Sequence, residues 1–224
     1  MNRTSRIALL FAFANWLGAM LIGGTVQGRV EAKAPEEASD GSAAGAYGSR
    51  RFKFLEKTDY AAIREFVVFI EHIPTAPDRP KAKASIAQKD GAFVPRMLPV
   101  VMGTEVEFTN MDDIFHNVFS MSDACNFDLG LYKRGDGKRV VRFDLPGRVD
   151  VFCSIHAQMA CVILVVPNHW VAKTDSGGRY TIPDVPAGRY RLKAWHERLP
   201  SKVQEIEVTE SGLTVSNFVL GPGR

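Results

Sequence analysis

The sequence predicts an all-β protein built of two sandwiches, and three observations carry that reading. From residue 84 onward, apolar runs recur at the spacing of about 8–12 residues expected of sandwich strands. Glycine and proline stand between the runs, as in Gly103-Thr104, Pro146-Gly147 and Gly177-Gly178, where a chain reversal needs them. Beyond the N-terminal region, helical signal is confined to one turn around residues 60–65.

The first element reads as an address. Arg3 and Arg6 precede an apolar run, 7–22, followed by small residues with candidate cleavage points after Gly28 or Ala32. That is the pattern of a secretory signal, which would place the mature protein in the periplasm with no stable membrane insertion. The competing reading is an uncleaved anchor, which needs roughly 17 apolar residues; Asn15 and the Ala/Gly content weigh against it. Residues 1–32 are thus assigned to the signal. Residues 33–58, rich in Ala, Gly, Ser and Glu with no apolar period, are assigned to a flexible linker.

Strands follow in order. Residues 66–73 form an apolar strand closed by Pro74, Pro77 and Pro80. Val106-Glu-Phe108 alternates as a half-buried strand, Asn110-Met-Asp-Asp113 is a loop, and His116 opens the next strand. Residues 128–139 are turn-rich, Val140-Val-Arg-Phe143 is extended, and 149–153 and 162–166 are strands flanking a short loop. These give a first domain, 59–166, close to the size of about 100 residues that one core requires. Pro167-Asn168 marks a boundary, and 167–224 carry four further strands at 179–182, 189–195, 203–208 and 214–219. At about 55 residues such a module is marginal alone. It either packs on the first domain or borrows the strand 66–73.

The formal charge is +3, and removing residues 1–32 takes away three arginines and one glutamate, leaving +1. A chain so near neutral has no sequence-independent attraction for nucleic acid. Asp112 and Asp113 are not read as an acid–base pair, because neighbours in extended chain point apart.

The chemistry concentrates in the loop Cys153-Ser-Ile-His156-Ala-Gln-Met159, joined by His116 from upstream. Two imidazoles, a thiolate and a weak thioether are the donor set of a blue-copper site. Cys153, His116 and His156 would form the ligand plane and Met159 the axial donor of one Cu(I)/Cu(II) ion. Asn117 is expected to hydrogen-bond across to the Cys153 loop and steady it. Val94, Pro95, Met97, Ala157 and Ala160 are candidates for an apolar docking patch around His156, or else for core. His72, His169 and His196 are read as structural. Cys125 and Cys161 remain, either for a disulfide or as separate thiols.

With Phe93-Val-Pro95, Gly103-Thr104-Glu-Val106-Glu-Phe108-Thr-Asn110, His116-Asn117-Val118 and Cys153-x₂-His156-x₂-Met159, residues 84–166 resemble the cupredoxins of the plastocyanin, pseudoazurin and amicyanin branch. Phe127-Asp-Leu-Gly-Leu-Tyr132 together with Trp195-His196-Glu197 is similar to cupredoxin-domain proteins labelled methylamine utilization proteins. The resemblance implies a Greek-key cupredoxin sandwich and type 1 copper. Ile155 departs from it, since amicyanin relatives carry proline beside the ligand histidine. Asp175-x₂-Gly178-x-Tyr180-x-Ile182-x₂-Val185-x₂-Gly188-x-Tyr190-x-Leu192 resembles carboxypeptidase-regulatory-like, transthyretin-like modules, which carry no catalytic machinery.

The function expected from the sequence is non-enzymatic. It is a periplasmic blue copper protein carrying single electrons between redox partners, a dehydrogenase or a cytochrome, that dock transiently near His156. The alternative is a copper-binding or sensing module that docks a partner without net electron transfer.

Overall fold

The computed structural model describes residues 23–34, 59–72 and 83–221. Within them the chain is all-β, with one 3-10 turn at Tyr60–Ala62 and no α-helix. The apolar run 7–22 and most of the expected linker lie outside the described residues.

Two strands precede the first sandwich, β1 (Gly24–Ala32) and β2 (Val67–Ile70). The first sandwich contains β3 (Lys83–Lys89), β4 (Ala92–Val94), β5 (Met97–Val101), β6 (Thr104–Asn110) and β7 (His116–Ser122). It continues with β8 (Cys125–Tyr132), β9 (Arg139–Phe143), β10 (Gly147–Phe152) and β11 (Ala160–Val166). The remainder is β12 (Val171–Lys173), β13 (Arg179–Val185), β14 (Gly188–His196), β15 (Leu199–Val208), β16 (Leu213–Val215) and β17 (Phe218–Leu220).

The first sandwich faces a sheet ordered β5-β11-β10-β7-β8 onto one ordered β4-β3-β6-β9. The inward positions of both sheets, among them Ile86, Phe108, Val118, Phe143, Val151 and Ile163, fill one core. β6 shows the pattern behind this most simply: Thr104, Val106, Phe108 and Asn110 are buried and the residues between them half-exposed, the period of two of a pleated strand.

The second sandwich is discontinuous in sequence. One sheet runs β12-β2-β14-β15, and the other places β1 between β13 on one side and β16 and β17 on the other. The second module is therefore not residues 167–224 alone. It takes β1 and β2 from before the first sandwich, which is inserted between β2 and β12.

The strand β1 also corrects the reading of the N-terminus. Residues 24–32, assigned by sequence to the exit of a signal, pair with three strands, and Val26 and Val30 are buried. Gly28 is small because of packing: a Cβ there would lie 1.7 Å from the Ser216 carbonyl oxygen, which itself accepts the Tyr180 hydroxyl at 2.6 Å. A cut after Gly28 would split the strand, and a cut after Ala32 would delete it. Small residues look alike at a signal exit and at a close strand approach.

The two sandwiches share an apolar seam. Met97, Leu164 and Val166 of the first meet Val67 and Phe69 of the second in one buried cluster, with Val101, Val171 and Trp195 packed against it. Both faces of β2 and β11 are consequently buried, which is why each reads as a continuous apolar run and not as an alternation. Polar contacts frame the seam: Arg96 reaches Glu197 at 2.6 Å, Arg148 donates to the Glu197 carbonyl at 2.7 Å, and buried Asn168 donates to the Ile70 carbonyl at 2.8 Å.

His196 sits buried beside this seam with its ring 5.3 Å from that of Phe66, and its Nδ1 accepts from the Arg198 amide at 3.2 Å. Burial lowers its pKa, outweighing the nearby Glu197 charge. The neutral ring is the folded form, so its contribution is complete above the unfolded value of about 6.5 and is lost as pH falls through the lower folded value.

Two outcomes are expected. A chain beginning at Lys33 should lose the cooperative unfolding of the second sandwich, since Val26 and Val30 alone account for about 1.5–3 kcal/mol each on full burial; an exported chain analysed by intact mass should begin at or before Gly24. In thermal melts of metal-free protein, the stability gap between wild type and His196→Gln should narrow as pH is lowered from about 7 to about 5. A gap that widens would refute the neutral-histidine assignment.

Candidate metal centre

The centre lies where three chain segments meet at one end of the first sandwich. His116 is the first residue of β7, Cys153 directly follows β10, and His156 and Met159 occupy the turn that leads into β11. β7 and β10 lie side by side with Phe119 opposite Phe152, which brings His116 over the turn. The turn is closed by its own backbone: the Cys153 amide donates to the Met159 carbonyl at 3.2 Å, and the Met159 amide to the His156 carbonyl at 3.0 Å.

The donor atoms converge. His116 Nδ1 stands 3.0 Å from His156 Nδ1, and Cys153 Sγ stands 3.7 Å from His156 Nδ1. The three ligand atoms lie within 4.8 Å of one another, the one group of His, Cys, Asp or Glu side chains among the described residues with such spacing. Separations of this size suit donors placed about 2.0–2.3 Å from a shared ion. His116 is fully buried, Cys153 and Met159 nearly so, and His156 is half-buried. Met159 belongs to the same buried cluster as Cys153 and is tied by backbone to both Cys153 and His156.

An outer ring of hydrogen bonds orients these groups. His116 Nε2 donates to Asp112 Oδ2 at 2.9 Å, which leaves the Nδ1 lone pair facing the other two donors. Burial would raise the Asp112 pKa, but the amides of Gly91 and Asp90 and the His116 ring together hold its carboxyl below the usual carboxylate range. Those amides belong to the two-residue turn between β3 and β4, where Asp90 at φ +54° and Gly91 at φ +68° are both left-handed, as a tight hairpin of this length requires.

Asn117 hydrogen-bonds across to the Cys153 loop, as expected from the sequence. Its backbone amide, not its side chain, reaches the Cys153 sulfur, at 3.5 Å. The side chain donates to Asp128 at 2.7 Å, and the Asn117 carbonyl accepts from buried Gln88 at 3.2 Å. The one sequence signal for Asp112 as a histidine partner is an acidic residue four before His116, since the link crosses a loop with no period.

The other expectations divide. Met97 is buried in the seam between sandwiches and takes no part in a patch at the centre. Val94 and Ala157 are exposed, and so are Ile114, Phe115 and Ile155, the apolar residues flanking the two histidines. His169 stacks on Trp170 at 3.8 Å and His196 lies at the seam, both apart from the ligand group. The three thiols are free, so Cys125 and Cys161 form no disulfide. Burial pushes Cys161 up to about 12, and burial together with Asp144 raises Cys125.

Comparison with known proteins gives partial likenesses. Residues 168–216 match the family model of polysaccharide lyase family 4, domain II. Among solved structures, a Cu-containing nitrite reductase from Thermus scotoductus SA-01 is similar over 44% of this chain, at 23% identity and a TM-score of 0.37; the chain spans 26% of that protein. A purple cupredoxin from Nitrosopumilus maritimus is similar over 37% of this chain and 98% of its own, at 24% identity and a TM-score of 0.33. A methionine-to-alanine mutant of amicyanin in the Cu(I) state is similar over 39% of this chain and 86% of its own, at 16% identity and a TM-score of 0.35. No curated protein matches the chain.

Thiol labelling of the folded, metal-free protein should separate the cysteines. Half-buried Cys125 is expected to react with an alkylating reagent, while Cys161, 2% exposed and protonated, should stay unmodified until the chain unfolds. Peptide mass mapping reads the result, and early modification of Cys161 would contradict its placement in the core.

Proposed function

We propose that this protein is a periplasmic type 1 copper protein that carries single electrons between redox partners. One observation supports it above the others: Cys153 Sγ and the Nδ1 atoms of His116 and His156 converge at one buried point, with the Met159 thioether in the same turn. Thiolate, imidazole and thioether donors together favour copper over the oxygen-seeking cations.

Bound copper would supply a one-electron Cu(I)/Cu(II) couple. The chain does the rest. Cys153 enters as thiolate, and the amide of Asn117 steadies its sulfur. His116 is held from behind by Asp112, and the backbone bonds of the turn keep His156 and Met159 in register. A cage fixed by bonds outside itself changes little between oxidation states, and that favours fast electron exchange. Four side chains would hold the ion, so this reading leaves no position for a substrate and makes the protein a carrier and not an enzyme.

Half-buried His156 is the edge through which a partner, a dehydrogenase or a cytochrome, would exchange the electron. Exposed Ile114, Phe115 and Ile155 around the histidines would keep water out of a small, transient interface below about 1,200 Å². Export belongs to the same reading: the run 7–22 acts as the signal, and the mature chain retains β1.

Copper-loaded protein should be intensely blue. Cys153→Ser should abolish that band and Cys125→Ser should leave it, since only Cys153 stands beside the histidines. Met159→Leu should keep the copper and raise the reduction potential, because a weak donor to Cu(II) is lost. A blue band persisting in Cys153→Ser would sink the ligand assignment.

A further inference from the structure

We infer that Asp112 is a positioning residue of the metal centre: its carboxylate sets the His116 tautomer before any ion arrives and biases the bound ion toward its higher oxidation state. This rests on the copper reading for the second clause and on geometry alone for the first.

Three N–H groups point at this one carboxylate. The Asp90 amide reaches Oδ1 at 2.8 Å, the Gly91 amide reaches Oδ2 at 3.1 Å, and His116 Nε2 reaches Oδ2 at 2.9 Å. An ionised carboxylate only accepts, so it can satisfy all three. An asparagine amide could not, because in either orientation its NH₂ would face an N–H. The position therefore demands a carboxylate.

The carboxylate is also anchored at its own backbone. The Asp112 amide donates to Asn110 Oδ1 at 2.8 Å, and Asn110 Nδ2 donates to the carbonyls of Ile114 and Tyr132 at 3.0 and 2.9 Å. The loop between β6 and β7 is thus held at both ends, and Asp112 has no freedom to turn away. Its side chain is 15% exposed and that of His116 is 0% exposed, so solvent screens the pair weakly.

Two consequences follow for His116. With the proton on Nε2, the Nδ1 lone pair is presented toward His156 and Cys153 without any cost of tautomer change when an ion binds. A negative charge hydrogen-bonded to the far nitrogen makes the imidazole a stronger donor, and a stronger donor stabilises Cu(II) more than Cu(I). Removing that charge should raise the reduction potential.

The test uses the full-length chain as wild type, Asp112→Asn and, as a control, Asp113→Asn. Asp113 is the neighbouring carboxylate, 83% exposed in its side chain and 3.4 Å from Arg134, with no bond to a histidine. In metal-free protein, nitrogen NMR of the imidazoles should show His116 of wild type and of Asp113→Asn in the single Nε2–H form, and a mixture in Asp112→Asn. In copper-loaded protein, Asp112→Asn should lose about tenfold in Cu(II) affinity relative to Cu(I), equivalent to a rise of about 59 mV, with Asp113→Asn unmoved. Mixed tautomers in wild type would overturn the inference even if Asp112→Asn failed to fold. An equal potential shift in both variants would overturn it too, because the effect would then be general surface charge. Failure of wild type to bind copper would remove the copper reading and the oxidation-state clause, while the tautomer result would still decide the positioning role.

Discussion

The lateral contact between β7 and β10 is the constraint on which the rest of this molecule depends. Phe119 stands opposite Phe152, so the first residue of β7 and the residue just past β10 arrive at the same end of the sheet. One slip of register would turn every side chain on β7 to the opposite face and move His116 out of the core. The Asn117 amide on the Cys153 sulfur ties the same two strands at the level of the site.

Around that contact the fold arranges groups with no freedom left. His116 is fixed by Asp112, Asp112 by the β3–β4 turn and by Asn110, and the turn by two left-handed residues. The ligand loop is closed by its own amides. Such a nested arrangement holds its shape through bonds among the chain's own groups. His156 is half-buried, and Ile155 beside it in the chain and Ile114 and Phe115 before His116 are exposed.

The second sandwich is built around the first, not appended to it. The chain enters through β1 and β2, makes the sandwich that carries the candidate centre, and returns through β12 to β17. The seam of Val67, Phe69, Met97, Leu164 and Val166 buries the outer face of β11, one strand away from β10 and directly continuous with the ligand turn. A strand buried on both faces is a stiff support, since displacing it would expose apolar surface on two sides.

The all-β class, the strand run from 84 to 166 and the turn that carries Cys153, His156 and Met159 were readable in the sequence because they are local. Alternation with period two marks strands, and Cys153, His156 and Met159 lie in one short turn. His116 could be added on chemical grounds, since the set needs a second imidazole. The role of Asp112 could not be read, because it depends on a loop folding back through contacts distant in sequence. Nor could β1: Gly28 serves in a strand whose partners lie some 150 to 190 residues away, and its neighbourhood of small residues also suits a signal exit. Met97 was likewise ambiguous, since an apolar residue near a site is core or patch according to what packs on it. Only the tertiary structure, by bringing β2 and β14 against β5 and β11, decided that it is buried. Sequence determines what a residue can bond to, and tertiary packing determines which of those partners is within reach.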